Sequence, residues 1–338
     1  IKALLKWTSD RHPDAVTMGM ELGAMLGAAA VAGRNKATFV LSRSLAPFGE
    51  WVEQLIAEST GKEGKGILPV VGESVGVPAV YGTDRFFVRI GLRSENGDEP
   101  GLGFLKEAEH PVAELVLDQV YDLAELLYIW EMAVAVAGHV LAVNPFDQPD
   151  VEASKQFTRQ VIEQLRDRGA ETEEIPLAVD RNMAVYGHGK SASTPGHVFA
   201  DFLDSAVAGS YLALQVYLAE EPSLTGLLEE LRLIVRDRRR IATTVGYGPR
   251  FLHSTGQLHK GDDGAGLFVQ FTAANPGDIP IPDEMTGQKS SLTFGSLQIA
   301  QARGDAKALE SRGRRVLRYH FTRDMDAGIR HLIESLKG

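Results

Sequence analysis

Apolar residues in the first half of the chain alternate between helical and strand spacing. A helix is predicted over residues 13–33, where the glycine and alanine spacing suits close packing against a neighbour. The apolar run KATFVLS at 36–42 predicts a buried strand. Further helices are predicted at 47–58 and 121–143, and further strands at 67–71, 86–90 and 114–117. Alternation of this kind predicts an α/β fold with a mostly parallel sheet covered on both faces.

The second half repeats this alternation after a helix that ends near residue 168. Its predicted strands lie at 211–218, 240–244, 266–272 and 315–321, and its predicted helices at 223–237, 296–311 and 325–337. Residues 186–197, rich in Gly, Pro, Ser and Thr, are predicted to form an irregular surface loop. We therefore expect two α/β domains, at 1–168 and 169–338, and no repeat is visible in the sequence itself.

The segment NPFDQPDVEASK at 144–155 links the helix predicted at 121–143 to the next one. Its first four residues are typical of a turn, and Pro149 suits the first helical position because its missing N–H costs nothing there. Gln148 would then lie at the helix mouth, with Lys155 about two turns further on. A polar group and a cation at a helix start suit an anionic ligand, although most junctions of this type are only structural.

Composition, net charge and cysteine content exclude several classes of protein. The 338 residues are 44% hydrophobic and 24% charged, which is typical of a globular protein. No apolar run approaches the roughly 18 residues that a membrane helix needs, so we expect no membrane partner. A formal net charge of −10 argues against a general nucleic-acid binder, although small anionic substrates remain compatible. The absence of cysteine excludes disulfides and thiolate nucleophiles and permits a reducing cytoplasm.

Two polar segments carry candidate chemistry. Glu58 ends the helix predicted at 47–58, where the helix dipole and apolar neighbours would raise its pKa, as a general base requires. Lys62 and Lys65 follow in a glycine-rich loop and are equally compatible with surface charges. The second segment, at 246–261, follows a predicted strand and is predicted to be a loop. It is dense in polar groups, among them Arg250, His253, His259 and Lys260. Ligands gather at such strand ends, and the segment has neither zinc-ligand spacing nor a third ligand.

Common nucleotide and hydrolase signatures do not explain these segments. No GxGxxG motif occurs, and Ala184 stands where a P-loop ending in Gly189-Lys190-Ser191 needs its first glycine. Residues 72–76, GESVG, match GxSxG, but VGVP after the serine is a poor helix start, so we interpret the match as a chance one.

Several segments together resemble one enzyme family. ESTGK at 58–62 resembles the catalytic-glutamate motif of glucose-6-phosphate isomerases, and NPFDQPDVEASK resembles their second signature. Residues 251–261 and 293–297 are instead similar to the isomerase part of bifunctional transaldolase/glucose-6-phosphate isomerase fusions. The resemblance implies a three-layer sugar isomerase (SIS) fold and interconversion of glucose 6-phosphate and fructose 6-phosphate. It makes Glu58 the base of a cis-enediol mechanism and places Gln148 and Lys155 in the same pocket, with Lys155 favouring the negative charge that develops on oxygen. Such chemistry needs no metal or redox cofactor.

The sequence departs from the family in two respects. Ordinary members carry a catalytic histidine between the two motifs, where this chain has only His110 and His139, neither in a matching context. We expect His253 or His259 to supply that function, with Arg250 and Lys260 binding substrate. The family's Ser/Thr-rich phosphate loop and Gly-Gly-Arg segment are also absent. The chain is therefore expected to be the C-terminal part of a longer cytoplasmic fusion, with weak or no activity alone.

The expected partners are a sugar-phosphate substrate, the missing N-terminal isomerase subdomain, a transaldolase domain and a second copy in a homodimer. Two other functions are also compatible with the sequence. The chain could be a sugar-phosphate-binding module without turnover, although a sensor needs no base such as Glu58. It could also be an assembly domain that uses the apolar helices at 13–33 and 121–143, which are more often core elements.

Overall fold

The structure, a computed structural model, describes residues 14–95, 100–149, 151–168, 174–274, 277–283, 287 and 290–337. Contacts divide the chain into two compact units. The first contains the residues up to Pro149 together with Ser254–Asp263, and the second contains the remainder. The helix predicted to close the first domain thus lies in the second unit, and a short segment of the second half lies in the first. These units differ from the expected division at residue 168.

The residues of the first unit up to Pro149 form four strands and four α-helices in the part of the chain described. In chain order they are α1 (Asp14–Val31), β1 (Lys36–Leu41), α2 (Phe48–Thr60), β2 (Leu68–Val70), β3 (Arg85–Leu92), α3 (Pro100–Glu107), β4 (Val112–Leu117) and α4 (Leu123–Leu141). The strands form a parallel sheet of order β2-β1-β3-β4. One face carries the larger apolar core, to which α1, α2 and α4 contribute, and the other is covered by α3 and the segment after β2. This arrangement confirms the predicted three-layer α/β class.

Helices α1 and α4 approach closely because three glycines of α1 face α4. A Cβ on Gly23 would lie 2.3 Å from the carbonyl oxygen of Ala133, and one on Gly27 would lie 2.6 Å from the Cβ of Val140. Gly19 meets the side chain of Met132 in the same way. The glycine spacing therefore does what the sequence predicted, since any side chain there would force the helices apart.

Helix α4 differs from the expectation that no apolar run approaches the length of a membrane helix. Residues 120–141 are long and apolar enough, by length and composition alone, to cross a membrane, although no such run was expected. One side of the helix, including Trp130 and Ala133 at 0% exposure, is buried in the first unit's apolar core. That packing is what an apolar core helix requires.

The second half of the chain forms a second set of strands and helices. In chain order the elements are α5 (Val151–Arg168), β5 (Ala178–Val179), β6 (Met183–Gly187), α6 (Pro195–Asp204), β7 (Tyr211–Tyr217), α7 (Pro222–Arg239), β8 (Ala242–Tyr247), α8 (Thr255–Gly261, in the first unit), β9 (Gly266–Ala273), β10 (Pro280–Ile281), β11 (Leu292–Thr293), α9 (Phe294–Ser311), β12 (Arg315–Phe321) and α10 (Met325–Lys337). The second unit contains a six-stranded sheet of order β5-β6-β12-β9-β7-β8. The strands from β12 to β8 are parallel, and β6 pairs antiparallel with both β5 and β12. A small antiparallel pair, β10 with β11, precedes α9.

The two sheets share a topology that the sequence did not reveal. Counted in chain order, the parallel strands β7, β8, β9 and β12 take the spatial order second, first, third, fourth, as β1 to β4 do in the first unit. In each unit a helix precedes the first strand and another follows the fourth. A fold can repeat without a visible sequence repeat, because burial pattern rather than residue identity specifies it.

Three local predictions are corrected by the structure. Residues 186–197 do not form one loop, because β6 continues to Gly187 and α6 starts at Pro195, where the Thr194 side chain accepts a hydrogen bond from the His197 N–H. Residues 250–261 form a single 3-10 turn followed by helix α8 rather than a loop. Pro149 lies in a turn and α5 is described from Val151, so Lys155 is little more than one turn into the helix.

Candidate functional site

Glu58 lies in the last turn of α2, half-buried, where the sequence placed it. The amide of Gln54, one turn earlier, donates to its carboxylate at 3.3 Å. Thr60 ties this helix end to the following loop: its hydroxyl donates to the Ile56 carbonyl at 2.8 Å and accepts from the Ile67 N–H at 3.0 Å. Thr60 therefore holds together the backbone before and after the glycine-rich loop, including the helix end that carries Glu58.

Lys62 connects this loop to the turn that carries Gln148. Its side chain is 1% exposed, and its ammonium donates to the backbone carbonyls of Asn144 at 2.7 Å and Asp147 at 2.5 Å. A third bond, of 3.0 Å, reaches the Asp147 carboxylate. The interpretation of Lys62 as a surface charge is thus wrong, because a buried ammonium needs partners such as these. Lys65 is exposed and donates to the Leu141 carbonyl at 2.8 Å, at the C-terminus of α4.

The turn at 144–149 is held by its own side chains. The Asn144 carbonyl oxygen accepts from the Phe146 N–H at 3.1 Å, and its amide donates to the Asp147 carboxylate at 3.1 Å. The hydrogen bond from Lys62, helped by the Lys62 charge and Asn144, lowers the pKa of Asp147. Gln148 is exposed at the end of this turn. The loop after Glu58 and the first residues of the second motif, more than 80 residues apart in sequence, therefore belong to one hydrogen-bonded substructure of the first unit.

Helix α8 joins the same substructure. The buried Gln257 amide donates to the Gly61 carbonyl at 2.9 Å, and the Gly64 N–H donates to the Gly261 carbonyl at 2.8 Å. A Cβ on Gly61 would lie 2.3 Å from the Cα of Leu258, so only glycine permits this approach. The structure thus places α8 against the loop that follows Glu58. Sequence reasoning missed Gln257, whose only signal was an amide inside a polar segment.

His259 and Lys260 both lie on α8 and are buried, at 2% and 3% exposure. The Lys260 ammonium donates to the Gly256 carbonyl of the preceding turn at 2.9 Å. His259 therefore shares a unit with Glu58 and Gln148. The remaining candidates, Lys155 on α5 and Arg250 and His253 in the 3-10 turn, belong to the second unit, where their side chains are exposed.

The two histidines between the motifs lie in different surroundings. His110 packs edge-on against the rings of Phe87 and Tyr81, at centroid distances of 5.5 and 6.1 Å. Burial, and then the charge of Arg34, lowers its pKa. His139 is exposed near the C-terminus of α4, not buried as the apolar pattern of that helix indicated.

The GxSxG match is confirmed as a chance one, because no helix follows Ser74 in the described segment 71–77. Its glutamate has a structural role instead. Glu73 and Arg85 form a fully buried ion pair at 3.1 Å, and Arg85 also donates to the Thr38 hydroxyl at 2.8 Å. The pair joins the segment after β2 to β1 and β3.

Comparison with known proteins finds sequence similarity to glucose-6-phosphate isomerases over part of the chain, although no family model matches it. The chain is 32% identical over 190 residues to the glucose-6-phosphate isomerase of Clostridium tetani, covering 43% of this chain and 42% of that protein. It is 30% identical over 147 residues to that of Enterococcus faecalis, covering 32% and 33%. The match to the Streptococcus pyogenes serotype M18 isomerase is 33% over 152 residues, covering 33% and 34%.

Each match thus spans about one third to two fifths of the relative's length. Among solved structures, a hypothetical protein from Thermus thermophilus aligns at 14% identity with a TM-score of 0.35, over 99% of this chain and 86% of that one. The C-terminal domain of glucosamine-fructose-6-phosphate aminotransferase from Francisella tularensis aligns at 8% identity with a TM-score of 0.25, over 95% and 92%. Likenesses this low carry no argument. What the comparisons establish is partial sequence similarity to glucose-6-phosphate isomerases.

Proposed function

We propose that this chain carries the proton-transfer part of a glucose-6-phosphate isomerase, within a longer transaldolase/isomerase fusion of the sugar isomerase fold. One observation carries the proposal: buried Lys62 bonds the loop after Glu58 to the turn before Gln148. The first motif and the opening turn of the second, which resemble one enzyme family, therefore belong to one hydrogen-bonded substructure. Isolated chance matches would have no reason to meet in this way.

In this proposal Glu58 moves a proton between C1 and C2 of the sugar phosphate through a cis-enediol. A carboxylate fixed at a helix end, with a hydrogen-bonding amide beside it, suits a general base that must act in one geometry. Gln148 and Lys155 bind the substrate, and Lys155 stabilises negative charge that develops on oxygen. Arg250 and Lys260 remain candidates for substrate binding.

The location of α8 favours His259 over His253 as the group that opens the sugar ring. Helix α8 is held on the Glu58 loop by Gln257 and by the glycine contact at Gly61. His253 is instead exposed, at the end of the 3-10 turn in the second unit. We therefore expect His259→Ala to slow isomerisation of the cyclic sugar more than His253→Ala does. Equal, undiminished rates in both variants would remove the histidine assignment.

Solvent-proton exchange provides the direct test of the base. A cis-enediol mechanism incorporates deuterium from D2O at C2 of glucose 6-phosphate, and this exchange needs the carboxylate of Glu58. We expect Glu58→Gln in the longer protein to lose at least about 10³-fold in both isomerisation and exchange, in line with removal of a general base. The control is Glu63→Gln, an exposed residue of the same loop, which should keep full activity.

The same measurements separate the enzyme from a non-catalytic sugar-phosphate-binding module. Such a module would bind fructose 6-phosphate, as calorimetry would show, yet would neither isomerise it nor exchange deuterium in the longer protein. Binding without exchange would therefore contradict the catalytic assignment of Glu58 and leave only a ligand-binding role.

A further inference from the structure

The second unit contains a cavity of about 330 Å³ that the isomerase assignment does not use. It lies between β6, β12 and helix α9, and its chemistry comes from charged and aromatic side chains. The lining groups that bear on ligand binding are Tyr186, Arg318, Arg303, Lys307, Glu310 and Glu174. We call this cavity the Arg318 pocket. Its volume lies near the lower end of the roughly 300–1,000 Å³ typical of small-molecule sites.

Arg318 is held in place before any ligand arrives. Its side chain is 7% exposed, and its guanidinium carbon lies 4.5 Å from the centroid of the Tyr186 ring. A planar guanidinium stacked on an aromatic ring has a fixed orientation, so its N–H groups point in defined directions. Burial lowers the pKa of Arg318, which reflects the cost of keeping this cation out of water.

The carboxylate of Glu174 already accepts a hydrogen bond from the forked N–H groups of the Arg318 guanidinium. The Arg318 Nη2 group donates to the Glu174 carboxylate, and that side chain is 44% exposed. Guanidinium groups bind carboxylates and phosphates through the same donors. Glu174 therefore stands where an incoming oxyanion would bind and would compete with it.

The charges around the pocket favour an anion. Three cations, Arg303, Lys307 and Arg318, face two carboxylates, Glu174 and Glu310. Burial raises the pKa of Glu310, which reduces the charge that it can carry in acid. The pocket is thus locally positive in a chain whose formal net charge is −10. An anionic ligand balances this excess of one positive charge, and a phosphate presents three acceptor oxygens to the three cations.

We propose that the Arg318 pocket binds a small molecule through a phosphate group, with Arg318 and Lys307 contacting the phosphate and Glu174 displaced from the guanidinium. This site goes beyond the proposed isomerase activity, since none of its residues takes part in that assignment. A carboxylate ligand shares the Arg318 chemistry, so the experiment must distinguish the two anions.

The test is calorimetric titration of the 338-residue chain with inorganic phosphate, and with acetate as the carboxylate arm. We expect Arg318→Lys, which keeps the charge but loses the fork, and Lys307→Gln each to weaken phosphate binding about tenfold. Glu174→Gln should strengthen it several-fold, because the competing charge is removed. Arg330→Gln is the matched control, since Arg330 is an exposed cation on α10 that does not line the pocket.

Lys307 is exposed, so its replacement reports on binding rather than on folding. Thermal unfolding of each variant provides the check for Arg318. Phosphate binding that is equal in wild type, Arg318→Lys and Lys307→Gln would overturn the proposal. So would an absence of binding in Glu174→Gln, or acetate binding more tightly than phosphate. None of these outcomes depends on whether Glu58 catalyses isomerisation.

Discussion

At the residue scale, Lys62 is a charged side chain with a structural role. Its ammonium is buried and makes three hydrogen bonds to the turn at 144–147. We predict that Lys62→Met destabilises the chain by about 2–4 kcal/mol, because it removes the three hydrogen bonds that the buried ammonium makes to this turn. Thermal unfolding measures the loss. Lys65→Met is the control: Lys65 is exposed, and its removal should cost less than about 1 kcal/mol.

A second prediction at the residue scale concerns how the stability of the fold depends on pH through His110. Burial lowers its pKa in the folded state, so the unfolded chain takes up its proton more readily. Stability from this residue is therefore complete above the unfolded pKa of about 6.5 and is lost as pH falls below it. We predict that His110→Phe, among the rings of Phe87 and Tyr81, makes the melting temperature less sensitive to pH between about 7.5 and 5.5.

The matched control for this prediction is His331→Gln on α10, where the side chain is exposed. That variant should keep the wild-type dependence on pH. An unchanged dependence in His110→Phe would show that another group is responsible.

At the scale of elements, glycines decide which helices can meet. Gly23→Ala places a Cβ 2.3 Å from the Ala133 carbonyl oxygen, so α1 and α4 must separate. We predict a loss of about 1–3 kcal/mol in unfolding free energy, the usual cost of overpacking. Gly226→Ala in α7 is the converse case, because nothing lies within 4 Å of its new Cβ. It should stabilise by about 0.5–1 kcal/mol through helix propensity. Chemical denaturation of both variants compares them, and equal effects would contradict the packing argument.

The contact of α8 with the Glu58 loop gives the functional counterpart. Gly61→Ala would push Leu258, and with it the helix that carries His259, away from the loop. If His259 opens the sugar ring from this position, Gly61→Ala in the longer protein should slow turnover of the cyclic sugar more than that of its open-chain form. A variant that slows both forms equally would indicate a general disturbance of the site instead.

At the scale of the whole molecule, the isomerase candidates are divided between two units. Glu58, Gln148, His259 and Lys260 belong to the first, and Lys155, Arg250 and His253 to the second. The relatives are two to three times longer than the part that matches. We predict that the 338-residue chain alone isomerises fructose 6-phosphate weakly or not at all, whereas the proposed longer fusion would turn it over. A coupled assay of both, each with Glu58→Gln as the blank, tests this, and full turnover by the chain alone would contradict it.

Sequence reasoning succeeded where neighbours along the chain decide the outcome. The bounds of β12 and α10 agree with their predicted ranges, and the predicted α/β class is confirmed. It failed at β6, whose end lies in the stretch that was predicted to be a loop, and at α8, a helix of only seven residues. It also failed at Lys62, whose burial no local pattern indicates. Glu58, Gln148 and Lys155 were identified by motif, and their catalytic roles stay predictions.

The sequence by itself determined the alternation of helices and strands and the chemical types in the two motifs, because periodicity and turn residues act over a few positions. Only the tertiary structure decided what those motifs contact. Lys62 meets carbonyls 82 and 85 positions away, and Gln257 meets Gly61 across 196 positions. Contacts over such separations depend on how the sheet and helices pack, and packing is the property that a single sequence does not display.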